Sequence, residues 1–125
     1  MALGGISGRV VARIPEGVRI YAVGDIHGCA RLLRNLHELI LEDAYRAAEQ
    51  RRIVVYLGDY IDRGPDSRDV IDSAIAGPGE AFECFHLKGN HEAMLLDFLA
   101  GVGDIDLWRQ NGGGATLRSY GVEDR

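Results

Sequence analysis

Three times this sequence runs through a short apolar stretch, reaches a glycine and then sets out charged or amide side chains. Val18 to Val23 leads into Gly24-Asp25-Ile26-His27-Gly28. Ile53 to Leu57 leads into Gly58-Asp59-Tyr60-Ile61-Asp62-Arg63-Gly64, and Phe82 to Leu87 into Lys88-Gly89-Asn90-His91-Glu92. The middle run, Ile53 to Leu57, is uninterrupted, β-branched and aromatic, the pattern of a strand buried in a parallel sheet. In an open α/β sheet the turns at the carboxyl ends of such strands are where ligands bind. The chain therefore presents polar side chains three times from one sheet edge.

The segments between the strands have a different period. From Ala30 to about Gln50, Leu32, Leu33, Leu36, Leu39, Ile40, Ala44 and Ala47 recur at three and four, with Arg34, Glu38, Glu42, Arg46 and Glu49 on the solvated face. After Gly64-Pro65, Asp66-Ser67 can cap a helix carrying Val70, Ile71, Ala74 and Ile75, which Gly77-Pro78-Gly79 stops. Parallel strands need such crossovers, so the fold class is α/β, built from parallel βαβαβ units. Beyond Glu92 a third helix should bury Ala93, Met94, Leu95, Leu96, Phe98 and Leu99. Asp104 can cap a short helix through Trp108 that breaks at Asn111-Gly112-Gly113-Gly114, and a last turn runs from Ala115 to Tyr120. Residues 1–17 read as a glycine-rich leader with a short strand at Val10 to Ile14, and residues 18–125 as the working domain.

Composition narrows the function classes. With 125 residues, 46% of them hydrophobic, the chain can bury one core of ordinary density. A net charge of -5 without a long basic run argues against a nucleic-acid or anionic-membrane surface. No stretch approaches the roughly 18 apolar residues of a membrane span. Cys29 and Cys84 match no zinc spacing and suit free thiols in a reducing, cytoplasmic setting.

Asp25, His27, Asp59 and Asn90 offer carboxylate, imidazole, carboxylate and amide oxygen, a mixed N/O set suited to Mn, Fe, Co or Zn. His27, Asp59 and Asn90 recur at intervals of 32 and 31 positions, about one βαβ unit each, so their turns lie side by side. A carboxylate in the middle turn can bridge two divalent metals, and a water bridging the same metals would be acidified to the hydroxide that attacks phosphorus. Arg63, in the same loop, has the planar fork for a phosphate's non-bridging oxygens. His91 is placed to protonate a leaving oxygen, with Asp62 to hold its ring. Gly24, Gly28, Gly58, Gly64 and Gly89 would let the backbone turn sharply and approach the metals.

Taken together and in order, GDIHG, GDYIDRG and GNHE resemble the signature of the calcineurin-like metallophosphoesterases, in the branch of the Ser/Thr phosphoprotein phosphatases and their bacterial relatives. Trp108-x-x-Asn111-Gly112-Gly113 followed by Thr116 also looks like the bacterial members. The resemblance implies half of a four-layer αββα sandwich, with Asp25, His27 and Asp59 on a first metal, Asp59 and Asn90 on a second, and manganese the first metal to expect. It implies Arg63 on phosphate and His91 with Asp62 as the acid pair. The implied substrate is a phosphorylated protein or, from similarity to dinucleoside polyphosphate hydrolases, a small phosphoester or nucleotide. It covers the front half of the family's catalytic domain. The family's two further histidines for the second metal, and another arginine, come from strands beyond Arg125. An unbuilt sheet side would leave apolar surface and an edge through which copies of the chain could form a homo-oligomer.

Each residue also has a plainer reading. Arg63 can be a surface arginine paired with Asp62 or Asp66, His91 a helix cap, and Trp108 core packing rather than a substrate platform. His37 and His86 read as structural. A non-catalytic piece that binds one metal or phosphate, and a Rossmann-like nucleotide binder lacking the Gly-x-Gly-x-x-Gly fingerprint, are the rival functional classes.

Overall fold

The computed structural model describes Gly8 and residues 10–123. The remaining positions of the expected leader lie outside the described residues. Among the described residues, Val10 to Ile14 carries no strand and is exposed.

Ile53, Val54 and Tyr56 are buried because β2 (Arg51–Tyr56) is the middle strand of three. It is flanked in parallel by β1 (Val18–Val23) and β3 (Phe82–His86), with Val54 opposite Tyr21 and Cys84, and Tyr56 opposite Val23 and His86. The crossovers are α1 (Ala30–Arg46) and α2 (Ser67–Ala76), which pack against each other. Three short helices follow: α3 (Asn90–Leu99), α4 (Ile105–Gln110) and α5 (Gly113–Ser119). This is an α/β fold with an open parallel sheet, as the strand and helix periods imply.

The two faces of the sheet differ. Val23, Val54, Tyr56 and Phe82 join Leu33, Ile40 and Ala44 of α1 and Val70 and Ala74 of α2 in one core. Among the alternate strand residues Ile53 of the middle strand is buried, but Ile20 on β1 is 38% and Phe85 on β3 50% exposed. On this second face the apolar surface expected from an unbuilt side is present.

α1 stops at Arg46, short of Gln50, where Ala47 turns to an extended conformation. Its buried line is Ala30, Leu33, His37, Ile40 and Ala44, while Leu32, Leu36 and Leu39 of the expected stripe face outward, at 66, 38 and 60% exposure. The apolar residues cover too wide an arc for one sheet face to bury. The arc that lies down has alanine at both ends, which permits close approach, and His37 at its centre, hydrogen-bonded to the Tyr56 hydroxyl at 2.8 Å. α3 likewise buries only His91, and Leu96 and Leu99 are exposed. The Gly-rich break is shorter than expected, since α5 resumes at Gly113. Asp104 caps α4 as its position implies, accepting from the backbone N–H groups of Asp106 and Leu107. Cys29 and Cys84 are free thiols.

Candidate functional site

Four non-glycine residues among those described have a positive φ: His27 (43°), Asp59 (56°), Asp62 (75°) and Arg63 (73°). All four belong to the candidate set. Such conformations cost on the order of 1–3 kcal/mol each and persist only where the surroundings over-determine them. Here backbone hydrogen bonds join the turns after β1 and β2. Ile26 and His27 donate to the Asp59 carbonyl at 2.9 and 3.0 Å, Gly28 donates to the Tyr60 carbonyl, and Gly64 donates to the His27 carbonyl. The crossing is so close that a Cβ on Gly64 would fall on the His27 carbonyl oxygen. Gly24 differs from the expectation, for a side chain there would meet open space.

The third turn is tied in by Glu92. One carboxylate oxygen accepts from the backbone N–H of Asp59 (2.6 Å) and of Gly89 (2.9 Å), the other from Tyr60 (3.0 Å). Part of this is an ordinary N3 capping contact, which the sequence could have signalled. The reach to Asp59 and Tyr60 is tertiary. Gly89 then lies so near Asp59 that a Cβ would strike its carboxylate. Burial first, then the nearby Glu92 charge, push the Tyr60 phenol up to about 12, so it stays protonated and donates to the Leu87 carbonyl at 2.8 Å.

These turns bring His27, Asp59 and His91 together, with ligand-type atoms of all three within 4.8 Å of one another. The His27 and His91 rings meet edge to face at 4.6 Å. His27 Nδ1 lies 2.8 Å from the Ile61 carbonyl, which accepts its N–H and leaves Nε2 as the lone-pair nitrogen. That Nε2 is 3.6 Å from Asp25, whose carboxylate is exposed. Asn90 sets its amide against Asp59, the nitrogen donating to the carboxylate oxygens at 3.0 and 3.3 Å. Ligating a cation would ask for its oxygen instead. Asp25 is not one of the three residues that converge and approaches the group only through His27 Nε2, whereas His27 and Asp59 supply an imidazole nitrogen and a carboxylate of the kind that suits a divalent cation.

Asp62 has no exposed surface. One oxygen accepts from His91 Nδ1–H and from the Trp108 indole N–H, both at 2.8 Å, and the other accepts from the Thr116 hydroxyl at 2.7 Å. Its own N–H donates to the Thr116 and Ser67 hydroxyls. Asp62 is thus engaged with His91 and not with Arg63. Trp108 is buried and stacked on Phe98, as core packing would have it, and is also a donor to this carboxylate. Glu92, Trp108, Thr116 and Ser67 are residues to which sequence reasoning gives no part in holding this site; Ser67 reads there as a helix cap and Trp108 as core packing. Arg63 is exposed; its N–H donates to Gly112 and its side chain lies over that glycine. His37 is buried against Tyr56, and His86 stacks on Tyr56 and donates to the Ala74 carbonyl, so both are structural.

The chain matches the calcineurin-like phosphoesterase family over residues 18–122. It is 39% identical to serine/threonine-protein phosphatase 1 of Salmonella typhimurium over 95 residues, which is 75% of this chain and 38% of that protein. It is 38% identical to serine/threonine-protein phosphatase 2 of Escherichia coli over the same shares. To the symmetrical bis(5'-nucleosyl)-tetraphosphatase of Methylococcus capsulatus it is 38% identical over 69% of this chain and 28% of that protein. The matches therefore span less than two fifths of each of these relatives.

Proposed function

The chain belongs to the calcineurin-like phosphoesterase family, and on that premise we propose that it carries the metal-binding front half of a phosphomonoesterase of the Ser/Thr protein phosphatase type. The observation that supports this most is the meeting of His27, Asp59 and His91 beside a buried Asp62 that already holds His91. Asp25, His27 and Asp59 would hold one divalent cation, and Asp59 with Asn90 part of a second, manganese being the first to try. Bound there, such cations supply Lewis acidity that brings the pKa of a water near neutrality and offsets phosphate charge. Arg63 would bind the phosphoryl oxygens through its planar fork. His91 would donate its Nε2 proton to the leaving oxygen, because its Nδ1–H is committed to Asp62. Asp62 keeps the ring oriented.

A second reading, hydrolysis of a dinucleoside polyphosphate, is favoured by the similarity to tetraphosphatases. The free cysteines suit a cytoplasmic setting.

The test is turnover of an aryl phosphate by the full-length protein with Mn²⁺ and with chelator, in wild type, Asp59→Asn and His91→Ala. Activity should vanish with chelator and fall by about 10²–10⁴-fold in His91→Ala. Undiminished activity in both variants would sink the assignment. Comparing a phosphopeptide with a dinucleoside tetraphosphate then separates the two substrate readings.

A further inference from the structure

Asp25 stands apart from the group in which His27, Asp59 and His91 meet, and the third member of that group is the histidine assigned above to proton donation. We infer that His27, Asp59 and His91 form a three-ligand site for a single zinc ion, which takes His91 as a ligand and so silences it as an acid. The site shares His27 and Asp59 with the cation position proposed above and exchanges the exposed Asp25 for the buried His91. Zinc binding there is independent of the phosphoesterase reading; only its effect on turnover rests on that reading.

Both rings are set for ligation by the nitrogen they do not use. His27 Nδ1 faces the Ile61 carbonyl and His91 Nδ1 the Asp62 carboxylate, each at 2.8 Å. A carbonyl only accepts, and the Asp62 carboxylate already accepts from the Trp108 indole and the Thr116 hydroxyl. Each Nδ1 therefore keeps its hydrogen, and each Nε2 is left for an ion. An imidazole held through one N–H by a carboxylate or a backbone carbonyl is the usual arrangement of a metal-bound histidine. The rings meet edge to face at 4.6 Å, and a nitrogen of each lies with an Asp59 carboxylate oxygen inside a 4.8 Å group. Zinc bonds of about 2.0–2.2 Å would draw these atoms inward by about 1 Å.

Charge favours the same place. Asp59, Asp62 and Glu92 bring three carboxylates to these turns, where backbone N–H groups, the Asn90 amide, an indole and a hydroxyl donate to them. All of those donors are neutral, and partly buried anions gain from a cation set among them. Two imidazole nitrogens and one carboxylate oxygen form a set that suits zinc, whereas manganese prefers oxygen ligands and water. Zinc held by three side chains also keeps a fourth position for water. With zinc on His91 Nε2, that nitrogen has no lone pair left for a proton, so the ion and the acid exclude one another.

Zinc affinity of the metal-stripped full-length protein is measured against a chelating dye in wild type, His91→Gln and Asp25→Asn. The tightest zinc site should weaken by about tenfold or more in His91→Gln and be unchanged in Asp25→Asn. Wild type loaded with an NMR-active cadmium isotope, in place of zinc, should show coupling of the metal to the Nε2 signals of His27 and His91, a readout that needs no variant to fold. An Asp25→Asn loss as large as that of His91→Gln, or a cadmium-loaded spectrum without coupling at His91, overturns the site.

In turnover, zinc added to the manganese-activated wild type should lower aryl phosphate hydrolysis in step with occupancy of the site. Undiminished turnover with the site filled overturns the silencing of His91. A wild type that hydrolyses no phosphoester with manganese overturns the phosphoesterase reading itself, a result distinct from zinc binding that is indifferent to His91.

Discussion

Glu92 shows how much of the site depends on one carboxylate that touches no candidate side chain. Its two oxygens gather N–H groups from the turns after β2 and β3, and so set where Asp59 and Asn90 stand relative to each other. Replacing it by glutamine would point an amide N–H₂ at backbone donors. Glu92→Gln should lower stability by about 1–3 kcal/mol, read from the denaturant midpoint. Glu92→Asp should not restore it, because the shorter side chain cannot reach both turns. At Asp62 the same logic runs inward: a fully buried carboxylate is tolerable because His91, Trp108 and Thr116 all donate to it. That His91 pairs with Asp62, and that the turns carrying His27 and Asp59 meet, was legible in the sequence because the residue types and their spacing are local properties of the chain. The supporting donors were not, because indole and hydroxyl groups serve equally well in a core, and only the fold says what they face.

At the scale of elements, the sheet order and the crossovers followed from the apolar runs, while the rotation of α1 about its own axis did not. Leu32 and Leu33 are adjacent and identical, yet Leu33 is 2% exposed and Leu32 66%. Leu33→Ala should therefore cost about 2–5 kcal/mol of stability, whereas Leu32→Ala should stay within about 0.5 kcal/mol. Equal effects in chemical denaturation would mean that the helix lies on the sheet in the register its leucine count suggests. Composition cannot choose between the two because both arcs are apolar. The choice is made by the small alanines that let α1 approach and by the Tyr56 hydroxyl that satisfies His37.

The molecule as a whole is lopsided, with one sheet face covered by α1 and α2 and the other showing Ile20 and Phe85. The covered side carries a pH dependence. Burial holds His37 below its ordinary pKa, so at mildly acidic pH the unfolded chain binds a proton that the folded chain does not. Stability then rises with pH: this contribution is complete above about pH 6.5, the unfolded value, and is lost as pH falls below it. The unfolding midpoint should drop between about pH 7.5 and about 5.5, and His37→Gln, which keeps a partner for Tyr56, should flatten that drop. An unchanged slope would remove His37 as the cause. By itself the sequence determined the α/β class, the order of the strands and the identity of the polar groups at their ends, because period and residue type are local properties of the chain. Tertiary structure alone decided which face of α1 is buried and how Glu92 joins two turns. It also decided that Trp108 and Thr116 meet Asp62. These are distances between residues far apart in the chain, set by packing that no local pattern encodes.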